Sequence, residues 1–236
     1  MRKRRVVVLS LCLILFTMIS ACGKTEIIDV DVPLVPQLPH PNPSVAEGDA
    51  VSFGEHTWLV LEVIDGKALV ISEDILAERS FHLDKSSVTW ETSELRQWLN
   101  GPFYDDTFTQ AEKDRIVATE VTANSNPWCG TDGGNDTLDN VFLLCIEEVV
   151  RLFGDESPLD NTCVTEYIDN QYNKERIAVN EETGTPSWWW LRSPAGNNIL
   201  ATRVSSGGEV LMYTINGIIN PADGGVRPAL WLDLAV

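Results

Sequence analysis

Three groups of residues have side chains able to do chemistry. Asp132, Asn135, Asp136 and Asp139 cluster around Gly133-Gly134. Oxygen-bearing side chains gathered in one loop suit a hard cation such as calcium. The spacing is not that of an EF-hand loop and no Glu stands at its twelfth position, so a turn capped by its own Asx side chains is the competing reading. The second group is Trp188-Trp189-Trp190. Successive side chains on a strand alternate, so three indoles cannot share one face, and an exposed one would be a platform for a sugar or peptide. Loops concentrate binding residues, and Asn124–Asp136 carries Trp128, Asp136 and several glycines. The expected ligand surface is therefore Trp128 and Asp136 together with Trp188, Trp189 or Trp190. The third group is cysteine. Cys129 and Cys163 sit in turn-rich segments that a disulfide could join in an oxidising compartment, whereas Cys145 follows Val141-Phe142-Leu143-Leu144 and reads as a buried thiol. Their spacing matches no zinc pattern.

Other chemistries are missing or undetermined. The chain has no Gly-x-Ser-x-Gly elbow and no His-Glu-x-x-His. With 35 Asp and Glu, a carboxylate pair for glycoside hydrolysis could be drawn anywhere and so decides nothing. Glu147-Glu148 reads as a solvated helix face. Arg192 and Arg227, in otherwise apolar strands, read as structural guanidinium groups that bond loop carbonyls and pair with an acid. No catalytic residue is assigned and no cofactor is implied, calcium being the one candidate ion.

The first 22 residues carry an address. Arg2, Lys3, Arg4 and Arg5 precede an apolar run, Val6–Met18, that is short for a membrane-spanning helix. Ile19-Ser20-Ala21-Cys22 then resembles the lipobox of bacterial lipoproteins. That resemblance implies cleavage of residues 1–21 and acylation of Cys22, with palmitate-type chains. Each buried methylene contributes about 0.8 kcal/mol, so two or more chains anchor stably. The expected location is the extracytoplasmic face of a bacterial cell membrane.

The chain of 236 residues has 17 Lys and Arg against 35 Asp and Glu. Loss of the leader removes four basic residues and leaves a formal charge of −22. That argues against nucleic-acid partners, which require basic patches. Residues 22–49 form a tether in which Pro33, Pro36, Pro39, Pro41 and Pro43 favour extended polyproline II. Residues 50–236 suit one globular domain.

Within it, Asp65-Gly66 between apolar runs predicts a hairpin joining His56–Ile64 to Lys67–Ser72. Ser93–Leu99 predicts a short helix, and Thr109-Gln110-Ala111-Glu112 a capping box opening a second helix that buries Ile116. Phe142–Cys145 reads as a strand and Ile146–Phe153 as a helix ending at Gly154. The last third reads as strands: Trp188–Leu191, Ile199–Val204, Glu209–Thr214 and Gly225–Leu234. The class is α+β.

The ordered blocks Val51-Ser52-Phe53-Gly54, Ser93-Glu94-Leu95-Arg96-Gln97-Trp98-Leu99-Asn100, Asp139-Asn140-Val141-Phe142-Leu143-Leu144, Trp189-Trp190-Leu191-Arg192-Ser193-Pro194 and Gly225-Val226-Arg227-Pro228-Ala229-Leu230-Trp231-Leu232 resemble the bacterial domains designated DUF6273. Leu191-Arg192-Ser193 and Gly225-Val226-Arg227 are also similar to the closing blocks of the formylglycine-generating branch of the C-type-lectin-like fold, which implies that fold here. The chemistry of those relatives does not transfer. Residues 193–226 lack the copper-binding cysteine pair, and the three histidines, His40, His56 and His82, cannot make a His-rich iron site. The reading is a membrane-anchored, non-catalytic binding domain for a glycan or protein ligand. The alternatives are an envelope enzyme, with a glycan as the candidate substrate and its carboxylates unassigned, or a structural surface protein with no small ligand.

Overall fold

Tight turns set the first sheet. The computed structural model describes residues 45–154, 159, 167–211 and 224–235. Cys22, the proline-rich tether and Cys163 lie outside them. Strands β1 (Ala50–Phe53), β2 (His56–Ile64) and β3 (Lys67–Ser72) follow one another as antiparallel hairpins. Gly54-Glu55 and Asp65-Gly66 both have positive φ at their two central residues, the mirror-image turn whose twist matches the strands it joins.

Further along come β4 (Ala77–Glu78) and helix α1 (Glu94–Trp98). The Ser93 hydroxyl caps α1 by accepting the Arg96 N–H. The chain breaks at Gly101-Pro102 before α2 (Tyr104–Thr107). Helix α3 (Gln110–Lys113) opens with the Thr109–Glu112 capping box. It is one turn long, so Ile116 falls beyond it. That residue is buried as a bridge to Leu232, not on a helix face.

Next are β5 (Thr119–Val121), β6 (Thr137–Asp139), α4 (Ile146–Leu152), β7 (Tyr167–Ile168), α5 (Asn173–Arg176), β8 (Ala178–Asn180) and β9 (Thr185–Ser187). The closing strands are β10 (Trp189–Pro194), β11 (Ala201–Val204), β12 (Val210–Leu211), β13 (Gly225–Val226) and β14 (Ala229–Asp233). The terminal strand expected over Gly225–Leu234 is thus two strands separated by Arg227-Pro228, since proline offers no N–H to a ladder. The structure is mixed and strand-rich, as α+β requires.

The principal sheets have strand orders β1-β2-β3-β14 and β4-β13-β10-β11-β12-β7. β5 pairs with β6 alone, and β8 with β9. Arg227-Pro228 carries the chain from β13 in the second sheet to β14 in the first. The Arg227 side chain is buried, donates Nε to the Ser72 carbonyl at 2.9 Å and lies near the rings of Trp189 and Phe153. Burial lowers its pKa to about 10, with Asp74 and Glu73 acting the other way.

Most large buried side chains belong to a single apolar core. Its buried indoles find acceptors: Trp58 Nε1 donates to Phe53 O, Trp189 to Arg176 O, Trp190 to Arg79 O and Trp90 to Asp139. Asp139 also accepts from Thr137 Oγ1 at 2.7 Å and Arg96 Nε at 2.7 Å. One fully buried carboxylate therefore ties α1, the Trp90 loop and β6 together. Removing a partner from a buried charged network leaves donors unpaired. Asp139→Ala should lower stability by about 3 kcal/mol, read as a reduced denaturant midpoint at unchanged slope.

A cleft beside a buried arginine

Strands β5, from the middle of the chain, and β14, from its end, build this site together. Ile116 bridges Leu232, and the Val117 N–H donates to Trp231 O at 2.9 Å, so β5 departs beside β14. On the same strand, Ala229 and Phe142 exchange two backbone hydrogen bonds, of 2.9 and 2.8 Å. This is a single bridge. The strand expected over Phe142–Cys145 does not form, because the carbonyls beyond Phe142 bond elsewhere. Leu144 O accepts the Arg192 backbone N–H at 3.0 Å, and Leu143 O accepts Arg192 Nη1 at 2.7 Å. Cys145 then begins α4.

Arg192 joins these pieces. Its side chain is 5% exposed at residue level, and it donates to both Glu148 carboxylate oxygens and to Thr122 O as well as to Leu143 O. Glu148 is the third residue of α4, and its Oε2 also accepts the Cys145 backbone N–H at 2.8 Å. The carboxylate thus caps the helix while neutralising the arginine. Glu148 is therefore not part of a solvated face. Burial acts to raise its pKa, but the Arg192 charge and hydrogen bonds outweigh it and hold the carboxyl below its ordinary range. Ser193 adds a bond by accepting the Ile146 N–H at 3.0 Å.

Cys145 is buried and reduced. Burial pushes its thiol pKa upward despite the nearby Arg192 charge, so the neutral thiol persists and thiolate chemistry is disfavoured.

Around this pair opens a cleft of about 260 Å3, lined among others by Glu120, Glu147, Glu148, Arg192, Phe142 and Trp231. Its charges are not balanced. Arg192 is paired with Glu148, and Arg151, also on the lining, is paired with Glu62 at 2.7 Å. Glu120 and Glu147 have no cationic partner among the described residues, and Glu147 Oε2 is shut from solvent with no hydrogen bond. A carboxylate oxygen left in that state is costly unless something supplies a proton or a donor. A neighbouring cleft of about 390 Å3 shares Thr119 and Trp231 and adds Ile64 and Val117.

The residues singled out from the sequence lie differently. Trp128 is 4% exposed, Trp189 0% and Trp190 1%, so these three cannot serve as a surface platform. Only Trp188 is partly exposed, set edge-to-face on Trp190 at 4.7 Å, with Arg203 over its ring. β10 is covered on both faces, and alternation therefore exposes neither Trp189 nor Trp190.

The calcium candidates do not converge. Asp132 accepts the Gly134 N–H, Asn135 donates to Glu91, Asp136 accepts the Ala123 N–H, and Asp139 is committed to Trp90, Thr137 and Arg96. Among the described residues, no group of three or more His, Cys, Asp or Glu could hold a metal ion. Gly133 and Gly134 serve close packing. A Cβ at Gly133 would lie 2.4 Å from the carbonyl oxygens of Ala123 and Asn124. Cys129 is half-buried, its N–H bonded to Asn126 Oδ1; the proposed bridge to Cys163 falls outside the described residues. Glu147, Trp231 and the Arg192–Glu148 pair were not read from the sequence as parts of one site. The available signal was a Glu three residues after the helix-capping Cys145.

Glu148→Gln should cost about 2–4 kcal/mol, by stranding a buried guanidinium. Because the folded-state pKa of Glu148 is depressed, its contribution is present above the unfolded-state pKa and lost as pH falls through the folded one. Urea midpoints for the wild type and Glu148→Gln should therefore converge on acidification.

The family model described as a domain of unknown function, DUF6273, matches residues 65–234. No curated protein and no solved structure matches the chain.

Proposed function

The chain belongs to the DUF6273 family, and from its own residues we propose a lipid-anchored, extracytoplasmic binding module that takes a positively charged group into the cleft beside Arg192. The observation that carries this reading is that Glu120 and Glu147 both line an open cleft with no cationic partner among the described residues, while the cleft's Arg192 and Arg151 are each paired with another glutamate. An ammonium or guanidinium group balances Glu120 and Glu147 together. Trp231, which is partly exposed, offers a ring face that adds cation–π attraction of about 0.5–2 kcal/mol. The neighbouring cleft, with Ile64 and Val117, has room for the remainder of a glycan or peptide bearing that cation. A strongly acidic chain also raises the local concentration of cations and so favours encounter.

The same reading takes the fold as C-type-lectin-like. Support comes from β14 returning to pair with β3 and from the Leu191-Arg192-Ser193 block bracing the irregular chain above it. Anchoring rests on Arg2–Arg5, the apolar run and Ile19-Ser20-Ala21-Cys22. Among the described residues no helix is long and apolar enough to cross a membrane.

Two experiments test the proposal. Calorimetric titration with lysine, agmatine and a diamine should show binding that weakens with salt, while uncharged analogues should not bind. Glu147→Gln should weaken it about tenfold or more, equivalent to about 1.4 kcal/mol, at unchanged thermal midpoint. Equal binding of neutral analogues, or indifference to Glu147→Gln, would reject the cleft. For the anchor, Cys22→Ala should abolish acyl labelling and leave the protein unprocessed or in the soluble fraction. Lipid labelling that persisted in that variant would contradict anchoring at Cys22.

A further inference from the structure

Strand β5 keeps one edge open. Its hydrogen-bonded pairs with β6 are Thr119–Asp139 and Val121–Thr137, since the other register would need the Asn140 N–H, which goes to Asn100 Oδ1 at 2.8 Å. Backbone groups along a strand alternate sides, so the Glu120 N–H and C=O point away from β6. Thr122 O lies on that same outer edge, where it accepts Arg192 Nη2 at 3.4 Å. Among the described residues nothing bonds the Glu120 backbone groups on this side. An edge in that state is a template for another strand.

The open edge is a wall of both clefts. Residues 117–119 line the cleft of about 390 Å3 and residues 119–122 the one of about 260 Å3, so the two run end to end along this segment, with Trp231 lining each. The β14 backbone groups that face away from β3 belong to Ala229, Trp231 and Asp233. Ala229 is bonded to Phe142, the Asp233 N–H donates to Arg115 O, and Trp231 O accepts the Val117 N–H. The Trp231 N–H has no partner among the described residues. Both strands beside the groove therefore have backbone hydrogen-bonding capacity to spare.

We propose that this groove binds an extended peptide segment bearing a lysine or arginine, its backbone adding to the outer edge of β5 at Glu120 and its basic side chain balancing Glu120 and Glu147. The proposal rests on the cation-binding reading above and names the class of molecule that carries the cation. A peptide strand supplies N–H and C=O groups at the spacing an open edge requires, which a glycan does not. At about 3.3 Å per residue, a six-residue edge spans roughly 20 Å and suits a segment of about five residues. Main-chain bonds then give affinity, and the acids select the side chain. Arg151 and Arg192 are both paired, so an acidic segment finds no free cation in the cleft beside Glu120. Lys67 lines the adjoining cleft together with Asp65, which leaves that end without excess charge.

The test uses the full-length chain in detergent and three probes. These are acetyl-Ala-Ala-Lys-Ala-Ala-amide, the same peptide N-methylated at alternate backbone nitrogens, and N-acetyl-lysine methylamide, which has the cation without the strand. Calorimetry should show the first binding about tenfold or more tightly than the other two, and norleucine in place of its lysine should cost about tenfold or more. Hydrogen exchange at the Glu120 amide, followed by NMR, should slow with the first peptide and not with the lysine methylamide. Equal affinity for the plain and N-methylated peptides, or Glu120 exchange unchanged by saturating peptide, overturns the strand pairing and leaves the amine site intact. A glucosamine tetramer that binds as tightly as the plain peptide overturns the peptide class in the same way. Failure of the cation reading looks different: the norleucine peptide binds as well as the lysine one, or no probe binds, and either result overturns both.

Discussion

The contact between Arg192 and Glu148 is the constraint on which the surrounding structure depends. An arginine inside a strand-rich core is costly unless its charge is met. Here the two Nη groups go to Glu148, to Leu143 O just before the Glu148 helix, and to Thr122 O just after β5, while Nε is buried without a hydrogen bond. Because those segments must reach the guanidinium, α4 begins at a fixed point and the chain before it stays non-repetitive. The cost of desolvating the pair explains the precision with which its partners are gathered. A hydrophobic pair of the same volume could be as stable, but it would not dictate where these two stretches of backbone run.

Satisfying that arginine has a consequence for the surface. Glu148, on the wall of the cleft, is neutralised internally, and Glu62 likewise engages Arg151. The negative charge that remains at the cleft is then that of Glu120 and Glu147. A site whose cations are paired and whose acids are not selects for positive charge, and the partly exposed ring of Trp231 acts in the same direction. The structural pair and the proposed recognition are therefore linked: α4 is positioned through Glu148, and Glu147 is carried with it.

Local signals were legible in the sequence wherever a single residue type decides a single turn. Asp65-Gly66 gave its hairpin, Ser93–Leu99 its short helix and Thr109–Glu112 its capping box. Long-range choices were not. Nothing in Phe142–Cys145 reveals that the Leu143 and Leu144 carbonyls are claimed by an arginine almost fifty residues away, so it read as a strand. Two adjacent acids read alike, although one is an internal counter-ion and the other a cleft wall. Three consecutive tryptophans suggested exposure of at least one, yet coverage of both faces of β10 buries two of them. The acidic loop looked like a metal site because composition records which oxygens are present and not which backbone N–H each one faces.

The assignment of separate roles to neighbouring glutamates can be measured directly. Carboxyl carbon signals of Glu147 and Glu148, resolved by NMR in selectively labelled protein, should respond differently when a diamine is added at neutral pH. The account predicts that the Glu147 signal moves saturably with the amine while the Glu148 signal stays in place. Movement of Glu148 with Glu147 unaffected, or no movement of either at amine concentrations that fill a specific site, would contradict it.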